Sequence, residues 1–194
     1  MKRAALAAGL SLLLAAGTAL PSSANELYVD AVRDYVQDSV RGWANDPRIV
    51  EALKTSNAFH QYLTAEDIDA MDARWRIEFR SQERPLIRMV LDNTLSTFLY
   101  EKQKEADGLI TEIIVMDAKG LSIAESETSS DYWQGDEPKW QNTYLTGTHD
   151  IFVDRAEKDE STQMLQAQAS MTVFDPKTNQ PIGAITIGIN LDGL

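Results

Sequence analysis

Apolar residues recur every three or four positions between residues 27 and 108, and this spacing predicts amphipathic helices. The first stripe, from Leu27 to Trp43, predicts one long helix. Asn45 to Pro47 should end it and begin a second helix, because an aspartate can cap a helix whose first turn holds proline. Thr64 to Asp67 resembles a capping box and predicts a third helix. A fourth helix is predicted from about Pro85 to Asp107.

After residue 108 the apolar residues recur at every second position, which predicts β-strands. The predicted strands are Leu109 to Asp117, Leu121 to Ser126, Thr148 to Arg155, Thr162 to Phe174 and Pro181 to Leu191. Ala118 to Gly120 should form a hairpin turn, and Glu157 to Glu160 a charged hairpin tip. The chain therefore divides into a helical region, residues 25–108, and a sheet region, residues 109–194, which together form one domain.

The last two predicted strands alternate between apolar and polar or small side chains. Ala167, Ala169 and Met171 should point to one side of the sheet, whereas Gln168 and Ser170 point to the other. The sheet is therefore expected to have an apolar face, which the helices cover, and a second face of small and polar residues.

A segment rich in turn residues, Ser126 to Tyr144, separates the second and third predicted strands. It contains four large aromatic residues, Tyr132, Trp133, Trp140 and Tyr144. Aromatic rings bury large areas, so this aromatic loop should fold over one face of the sheet. Two interpretations are open: the loop closes a small-molecule pocket above the polar face, or it is a structural lid whose rings fill a core.

Composition and charge exclude several classes of protein. The formal net charge of −12 provides no basic surface for a nucleic acid and disfavours binding to anionic lipid. The chain contains no cysteine, which excludes disulfides, thiolate catalysis and cysteine-bound metals. A domain of this size can nevertheless bury enough core to be exported without disulfides.

The beginning of the chain has the pattern of a secretory signal peptide. Lys2 and Arg3 precede an apolar run that is rich in alanine and leucine and ends near Leu20. Pro21 to Ala24 supplies the small residues of a cleavage site, so we predict a signal peptide over residues 1–24 and a periplasmic location. An uncleaved membrane anchor is the alternative.

Three segments resemble the extracytoplasmic PAS-like sensor domains of the PDC/Cache type. They are Met116 to Gly120 as a hairpin turn, the sequence Asp-Tyr-Trp-Gln-Gly-Asp-Glu at residues 131–137, and Pro181 to Asn190 as the last strand. The resemblance extends over about Tyr28 to Leu194. It implies an α+β fold, with a five-stranded antiparallel PAS-like sheet and a long N-terminal helix and further helices packed on one face. A loop between the second and third strands would cover a ligand pocket on the other face.

The resemblance also implies a function. Ligands of the family are small metabolites such as amino acids, amines and organic acids, and the N-terminal helices of family members often pair into homodimers. Members are usually the outer part of a membrane receptor, whereas here we expect no transmembrane segment or output domain after Leu194. We therefore expect a periplasmic ligand-binding module that signals through a separate membrane-bound partner. The alternative is an interaction module that binds no ligand and docks on a membrane receptor or enzyme.

The candidate ligand-binding residues come from the aromatic loop and the polar face. They are Tyr132, Trp133, Asp136, Trp140, Tyr144, Arg155 and Gln168. The rings would form pocket walls, Asp136 would suit an ammonium group, and Arg155 would suit a carboxylate. Each candidate also has an alternative role. The rings could fill a lid core, and the aspartate could form local hydrogen bonds within a turn. Arg155 could form an ion pair with Asp154 or Glu157, and Gln168 could simply be exposed to solvent.

No catalytic residue, metal or cofactor is predicted, and the chain is not expected to be an enzyme. His149 and Asp150 are adjacent in a predicted strand, so their side chains point to opposite faces and cannot form half of a triad. No nucleophile elbow, phosphate-binding loop or zinc-protease motif is present in the sequence. Asp131, Asp136 and Glu137 could supply oxygen ligands to calcium, but their spacing is not that of a calcium-binding loop.

Overall fold

The computed structural model describes residues 22–158 and 165–194. Most of the predicted signal peptide, residues 1–21, lies outside these ranges. So do residues 159–164, which include the end of the predicted hairpin tip and the start of the fourth predicted strand. Within the described ranges no helix has both the length and the apolar character needed to cross a membrane.

The first half of the chain is helical, as predicted. The elements are α1 (Ser22–Tyr35), a π-helical turn (Val36–Val40), α2 (Arg41–Ala44), α3 (Pro47–His60), α4 (Ala65–Phe79), α5 (Pro85–Leu91) and α6 (Thr94–Glu105). Asp46 caps α3, and Thr64 and Asp67 form the predicted capping box of α4. These caps satisfy amide groups that have no partner inside the helix.

The predicted fourth helix is in fact two helices. Asn93 divides them, because its side chain accepts a hydrogen bond from Ser96 N (2.8 Å) and donates one to Val90 O (2.7 Å). The first bond caps α6, and the second satisfies a carbonyl at the end of α5. The stripe of apolar residues continues across both helices, so periodicity alone does not reveal the break.

The second half forms an antiparallel sheet, which confirms the predicted α+β class. Its strands are β1 (Ile110–Met116), β2 (Ser122–Glu125), β3 (Phe152–Val153), β4 (Glu157–Lys158), β5 (Leu165–Phe174) and β6 (Pro181–Asn190). The strand order is β2-β1-β6-β5-β3, and β4 also pairs with β5. The short helix α7 (Pro138–Gln141) lies in the aromatic loop.

The third predicted strand is interrupted, so the sheet has six strands where five were expected. Tyr28 of α1 causes the break: its hydroxyl accepts a hydrogen bond from Ala156 N (3.0 Å) and lies 3.4 Å from Asp154 O. Main-chain groups that would continue the ladder are thus turned toward a helix. Glu157 and Lys158, predicted as a hairpin tip, form β4 instead.

The apolar face of the sheet carries the main core, as the alternation predicts. Helices α1, α3 and α6 and the π-helical turn cover it. The buried residues of this core include Val32, Val36, Val40, Ile49, Leu53, Leu95, Phe98, Leu99, Ile113, Val115, Ala167, Ala169, Met171, Ile185, Ile187 and Ile189.

A second, smaller core lies between α4, α5 and the aromatic loop. Trp75 of α4 stacks on Tyr132 of the loop with ring centres 5.4 Å apart, and both side chains are buried. Ile68, Leu86 and Leu121 belong to the same cluster. The aromatic loop is therefore integrated into the fold and has a core of its own.

Candidate ligand-binding site

The aromatic loop is attached to the β1–β2 hairpin by main-chain pairing. Ser122 N donates to Tyr132 O (3.0 Å), and Gln134 N donates to Gly120 O (2.7 Å). Gly120 has a φ of +79°, and a Cβ added there would lie 2.5 Å from the Cα of Gly135. The two segments can approach this closely only because glycine occupies both positions.

Two tryptophans fasten the loop to the same turn. The indole Nε1 of Trp133 donates to Lys119 O (2.9 Å), and that of Trp140 donates to Asp117 O (3.0 Å). Trp140 also packs against Tyr144, with ring centres 5.1 Å apart. Both polar tips of the indoles are thus satisfied by the protein itself, as buried tryptophans require.

Trp140 and Tyr144 form the roof over the polar face of the sheet. They pack against Ile114, Met116 and Ala184, whose side chains project from that face. The predicted arrangement of an aromatic roof above a sheet floor is therefore present for these two rings. Tyr132 lies elsewhere, in the second core, where burial and the nearby negative charges of Asp117 and Glu125 raise the pKa of its phenol.

The floor beneath the roof consists of two rows of side chains that run across the strands. Residues opposite each other in neighbouring strands share a face. One row is Glu125, Ile114, Thr186, Ser170 and Phe152, and the next is Ser122, Met116, Ala184 and Thr172. Ser170 and Thr186 are fully buried, and their hydroxyl oxygens lie 2.8 Å apart.

Several enclosed polar atoms in this layer have no hydrogen-bond partner. Ser122 Oγ and Thr172 Oγ1 belong to the floor, and Gln134 Oε1 belongs to the loop segment paired with the hairpin. Ser122 and Gln134 are almost completely buried. Native proteins leave few buried polar atoms unpaired, so ordered water or a ligand between loop and sheet would satisfy these atoms.

Glu125 places a carboxyl group at one end of the floor. Its oxygens accept hydrogen bonds from Ser129 N (2.9 Å) and Ser129 Oγ (2.7 Å). Burial nevertheless raises the pKa of Glu125 to about 7, and the charge of Glu112 adds to the effect. The Ser122 hydroxyl lies near enough to lower this pKa but makes no hydrogen bond of normal geometry.

An ion pair with one buried partner lies in the roof. Lys139 of α7 is buried, and its Nζ lies 3.0 Å from Glu137 Oε2. Lysine is seldom buried unless it is paired, so this pair adds a positive and a negative group to an otherwise aromatic roof. Sequence reasoning missed Lys139, since its charge predicts exposure, although Pro138 marks the start of the short helix that carries it.

The structure does not bring the remaining candidates to the roof and floor. Asp136 is exposed on the loop. Arg155 lies at the sheet edge, is 81% exposed and pairs with Glu157 (2.7 Å), which was one of its alternatives. Gln168 is half-buried on the polar face, where its Nε2 donates to Glu112 Oε1 (2.8 Å). The assignment of any of the seven candidate residues to a ligand stays a prediction.

The three acidic residues that could have bound calcium do not point to a common site. Asp131 pairs with Arg76 (3.3 Å), Glu137 pairs with Lys139, and Asp136 is exposed. Across residues 22–158 and 165–194, no three acidic or histidine side chains form a group that could hold a metal ion.

A polar cluster joins α3 to the turn that holds the loop. Buried Asp117 Oδ2 contacts Ser56 Oγ (2.8 Å) and His60 Nδ1 (2.6 Å), and Asp117 Oδ1 accepts from Lys119 N and Leu121 N. The serine contacts the same ring nitrogen that contacts the carboxylate, so this is not the geometry of a catalytic triad. The cluster fixes the turn against the helix.

Cavities open at two places beside the sheet on the described surface. One, of about 240 Å³, lies between α6 and the end of β2 and includes Tyr100, Glu125 and Glu127 among its walls. Another, of about 260 Å³, lies at the edge of β5. Neither of these is lined by Trp133, Trp140 or Tyr144, and the side chains of Trp140 and Tyr144 pack directly on the floor.

Comparisons with known proteins show similarity at the level of the fold. No family model matches the chain, and no characterised protein sequence matches it. The sensor domain of the Vibrio cholerae histidine kinase DctB is similar in structure, with a TM-score of 0.50, 12% identity, and coverage of 87% of this chain and 53% of that chain.

Two chemoreceptor domains give weaker similarity. The Campylobacter jejuni Tlp3 domain in complex with 4-methylisoleucine has a TM-score of 0.41 at 13% identity, covering 82% of this chain and 64% of that chain. The Pseudomonas aeruginosa PctC domain in complex with GABA has a TM-score of 0.41 at 10% identity, covering 87% and 62%. The chain thus spans between about half and two thirds of these structures. The similarity to the DctB sensor domain shows a shared fold, which agrees with the predicted PDC/Cache-type architecture.

Proposed function

We propose that the protein is an extracytoplasmic sensor domain that binds a small polar metabolite between the aromatic loop and the polar face of the sheet. The observation that carries the proposal is the group of enclosed, unpartnered polar atoms in that layer, Ser122 Oγ and Gln134 Oε1. Each such atom destabilises a folded chain by about 1–3 kcal/mol. A polar ligand that enters the layer would supply the missing hydrogen bonds.

The groups around this layer favour a ligand with a carboxylate, an amine or both. Lys139 and Glu137 provide one charge of each sign in the roof, and the hydroxyls of Ser170 and Thr186 provide donors and acceptors in the floor. Trp140 and Tyr144 would cover the apolar part of the ligand. Amino acids, amines and organic acids have this chemistry.

Ligand entry requires the roof to move away from the floor. The roof itself is held by few contacts, namely the Trp140 Nε1 bond to Asp117 O and the packing of two rings on three floor side chains. The main-chain pairing of Tyr132 and Gln134 with the hairpin can stay in place while the roof moves. A ligand shifts such an equilibrium by its difference in affinity for the open and closed states. Because the turn at Asp117 is also fixed to α3, movement of the roof would be passed to the helical layer.

The cellular setting is also part of the proposal. The charged and apolar pattern of residues 1–24 supports export to the periplasm, with the mature chain beginning at Asn25. A separate membrane-bound partner would receive the signal, and a homodimer through the N-terminal helix would present two ligand sites to it. Mass spectrometry of the exported protein tests the cleavage site, and sedimentation velocity tests the dimer.

The alternative is an interaction module that binds no metabolite. The observation that favours it is that the two loop indoles have main-chain acceptors and the roof lies directly on the floor. In that case the enclosed polar atoms would be satisfied by ordered water, and the partner would recognise the outer surface.

A thermal-shift screen followed by calorimetric titration distinguishes the two functions. The exported protein is tested with amino acids, polyamines and organic acids, and a ligand at one hundred times its Kd should stabilise the fold by about 2.7 kcal/mol. The double variant Ser170→Ala and Thr186→Val removes the two paired hydroxyls of the floor at nearly constant volume, so it should fold and lose the ligand. Arg33→Gln, which breaks an exposed pair with Asp30 on α1, is the matched control. No shift with any compound would favour the interaction module.

A further inference from the structure

We propose a second binding site, at the edge of β5, that takes a small organic anion with one carboxylate and a short apolar chain. This β5-edge site consists of the cavity between Arg41, Thr172 and His149. It is separate from the aromatic roof and goes beyond the proposed sensor function.

The cavity exists because β3 ends before β5 does. β3 pairs only with Ala169 and Ser170, and Asp154 N donates to Gln168 O (2.8 Å). In an antiparallel ladder the main-chain groups of alternate residues point to the same side, so those of Thr172 point to the side that β3 leaves open. Among the described residues no main-chain partner meets Thr172 there. Open strand edges of this kind are ready to accept a polar partner.

The space beside this edge is enclosed and amphipathic. Its volume is about 260 Å³, and Val50, Met171 and Ile185 give it an apolar wall. His149 and Phe174 stack on each other nearby, with ring centres 4.1 Å apart. The cavity is smaller than the pockets that hold drug-sized ligands, about 300–1,000 Å³, which restricts it to a short ligand.

Two unpartnered polar groups from different elements line the cavity. Arg41 Nη2 donates to His149 O (3.2 Å), but the enclosed Arg41 Nε has no partner. The second group is the main-chain N–H of Thr172, which faces the cavity from the open strand edge, whereas its side chain projects from the polar face beside Ala184. No carboxylate lies within ion-pair distance of Arg41 among residues 22–158 and 165–194. A guanidinium with an unused N–H and a free main-chain N–H beside it can both donate hydrogen bonds to a carboxylate.

The acidic residue at the cavity does not cancel this positive charge. Asp175 accepts a hydrogen bond from Lys177 N and pairs with Lys54 Nζ (2.9 Å). These contacts, the Lys177 bond first, lower the pKa of Asp175, which therefore stays an anion already balanced by Lys54. Arg41 remains the uncompensated charge of the cavity, which excludes a cationic ligand and favours an anion.

The backbone before Arg41 provides an independent indication. The π-helical turn Val36–Val40 ends there, and Arg41 N donates to Val36 O. A π turn adds a residue to the helical repeat, so it rotates the following side chains relative to a continuous α-helix. Such turns are rare and occur frequently at functional sites. Here the turn keeps Val36 and Val40 in the core while Arg41 lines the cavity.

Titration of the exported protein with butyrate, followed by 1H–15N NMR and calorimetry, tests the site. Butyrate should bind and shift the resonances of Arg41, His149 and Thr172, whereas neutral butyramide and cationic butylamine should bind at least tenfold more weakly. Arg41→Gln should weaken butyrate binding about tenfold or more, and Arg41→Lys, which keeps the charge but loses the planar guanidinium, by about three- to tenfold. Arg33→Gln should change nothing.

The outcomes separate this site from the sensor site. The double variant of Ser170 and Thr186 should leave butyrate binding unchanged, and Arg41→Gln should leave any roof ligand unchanged. Should Arg41→Gln fail to fold, Arg41→Lys decides the matter. Equal affinity for butyrate and butyramide, absence of butyrate binding at millimolar concentration, or equal affinity of wild type and Arg41→Lys would each overturn the proposal.

Discussion

Glu125 is the residue whose burial should govern how stability depends on pH. Its folded-state pKa is about 7, compared with an ordinary value of 4.5, because burial disfavours the charged carboxylate. The folded state therefore binds more protons than the unfolded chain between these values. The stability that protonated Glu125 contributes is fully present below pH 4.5 and is lost as the pH rises through 7.

We predict that the free energy of unfolding falls by on the order of 1–3 kcal/mol between about pH 4.5 and 7, since each pKa unit corresponds to about 1.4 kcal/mol. Urea denaturation at several pH values measures this change in the free energy of unfolding. Glu125→Gln should remove most of this slope, and Glu127→Gln, which changes an exposed neighbour, should keep it. A slope that is the same in both variants would assign it to other groups.

Gly135 is a second residue with a sharp expectation. A Cβ added there would overlap the indole of Trp133, and Trp133 cannot retreat without giving up its bond to Lys119 O. Gly135→Ala should lower the free energy of unfolding by about 1–3 kcal/mol, which is typical of overpacking. Gly42 is the matched control, because it lies in a helix and a Cβ added there would meet no atom within 4 Å. Gly42→Ala should be neutral or stabilising by up to about 1 kcal/mol. Equal effects of the two substitutions in chemical denaturation would contradict the close approach.

At the scale of elements, Asn57 ties α3 to two parts of the sheet. Its Nδ2 donates to Ile182 O (2.7 Å) at the start of β6, and its Oδ1 accepts from Ala118 N (2.8 Å) in the β1–β2 turn. Asn57→Ala leaves both main-chain groups without these partners, so it should lower stability by about 1–3 kcal/mol. Gln61→Ala, which removes a local bond to Ala58 O on the same helix, should change stability by less than about 0.5 kcal/mol. Thermal unfolding followed by circular dichroism compares them, and similar melting temperatures would refute the role of Asn57.

The elements differ in how far sequence could predict them. The alternation in β5 and β6 is strict, and it correctly placed Ser170 opposite the core side chains. The caps at Asp46 and Thr64 act within a few residues, so their signals are local and reliable. The division at Asn93 rests on local hydrogen bonds and the break caused by Tyr28 on a distant contact, and neither changes the apolar period.

The candidate site shows the same limit. Sequence could predict that an aromatic loop covers the polar face, because large rings must be buried somewhere. Sequence could not predict the hydrogen-bond acceptors of Trp133 and Trp140 or the burial of Lys139. These contacts depend on the path of the loop across the turn. For Arg155, an adjacent opposite charge favoured an ion pair, and the structure contains it.

At the scale of the whole molecule, the loop and the sheet should open independently. Tyr132 N and Trp133 N are held by one carboxylate, Asp72 Oδ1, whereas β6 pairs on both sides with β1 and β5. Local opening should therefore expose the loop far more often than the central strand. Hydrogen exchange measured by mass spectrometry should show faster exchange in residues 126–148 than in β6, and a roof ligand should slow only the former. Identical protection of loop and β6 would mean that the roof opens only on global unfolding.

The tryptophan side chains can also report the position of the loop by NMR. The chain has four of them, and the indole N–H groups of Trp75, Trp133 and Trp140 donate to Ser129 O, Lys119 O and Asp117 O. Each of these three bonds has one end in the loop. Trp43, edge-on to Phe98 in the main core, lies apart and can serve as an internal reference. Four indole resonances in a single NMR spectrum would thus record the position of the loop without any attached label, in the presence or absence of any compound.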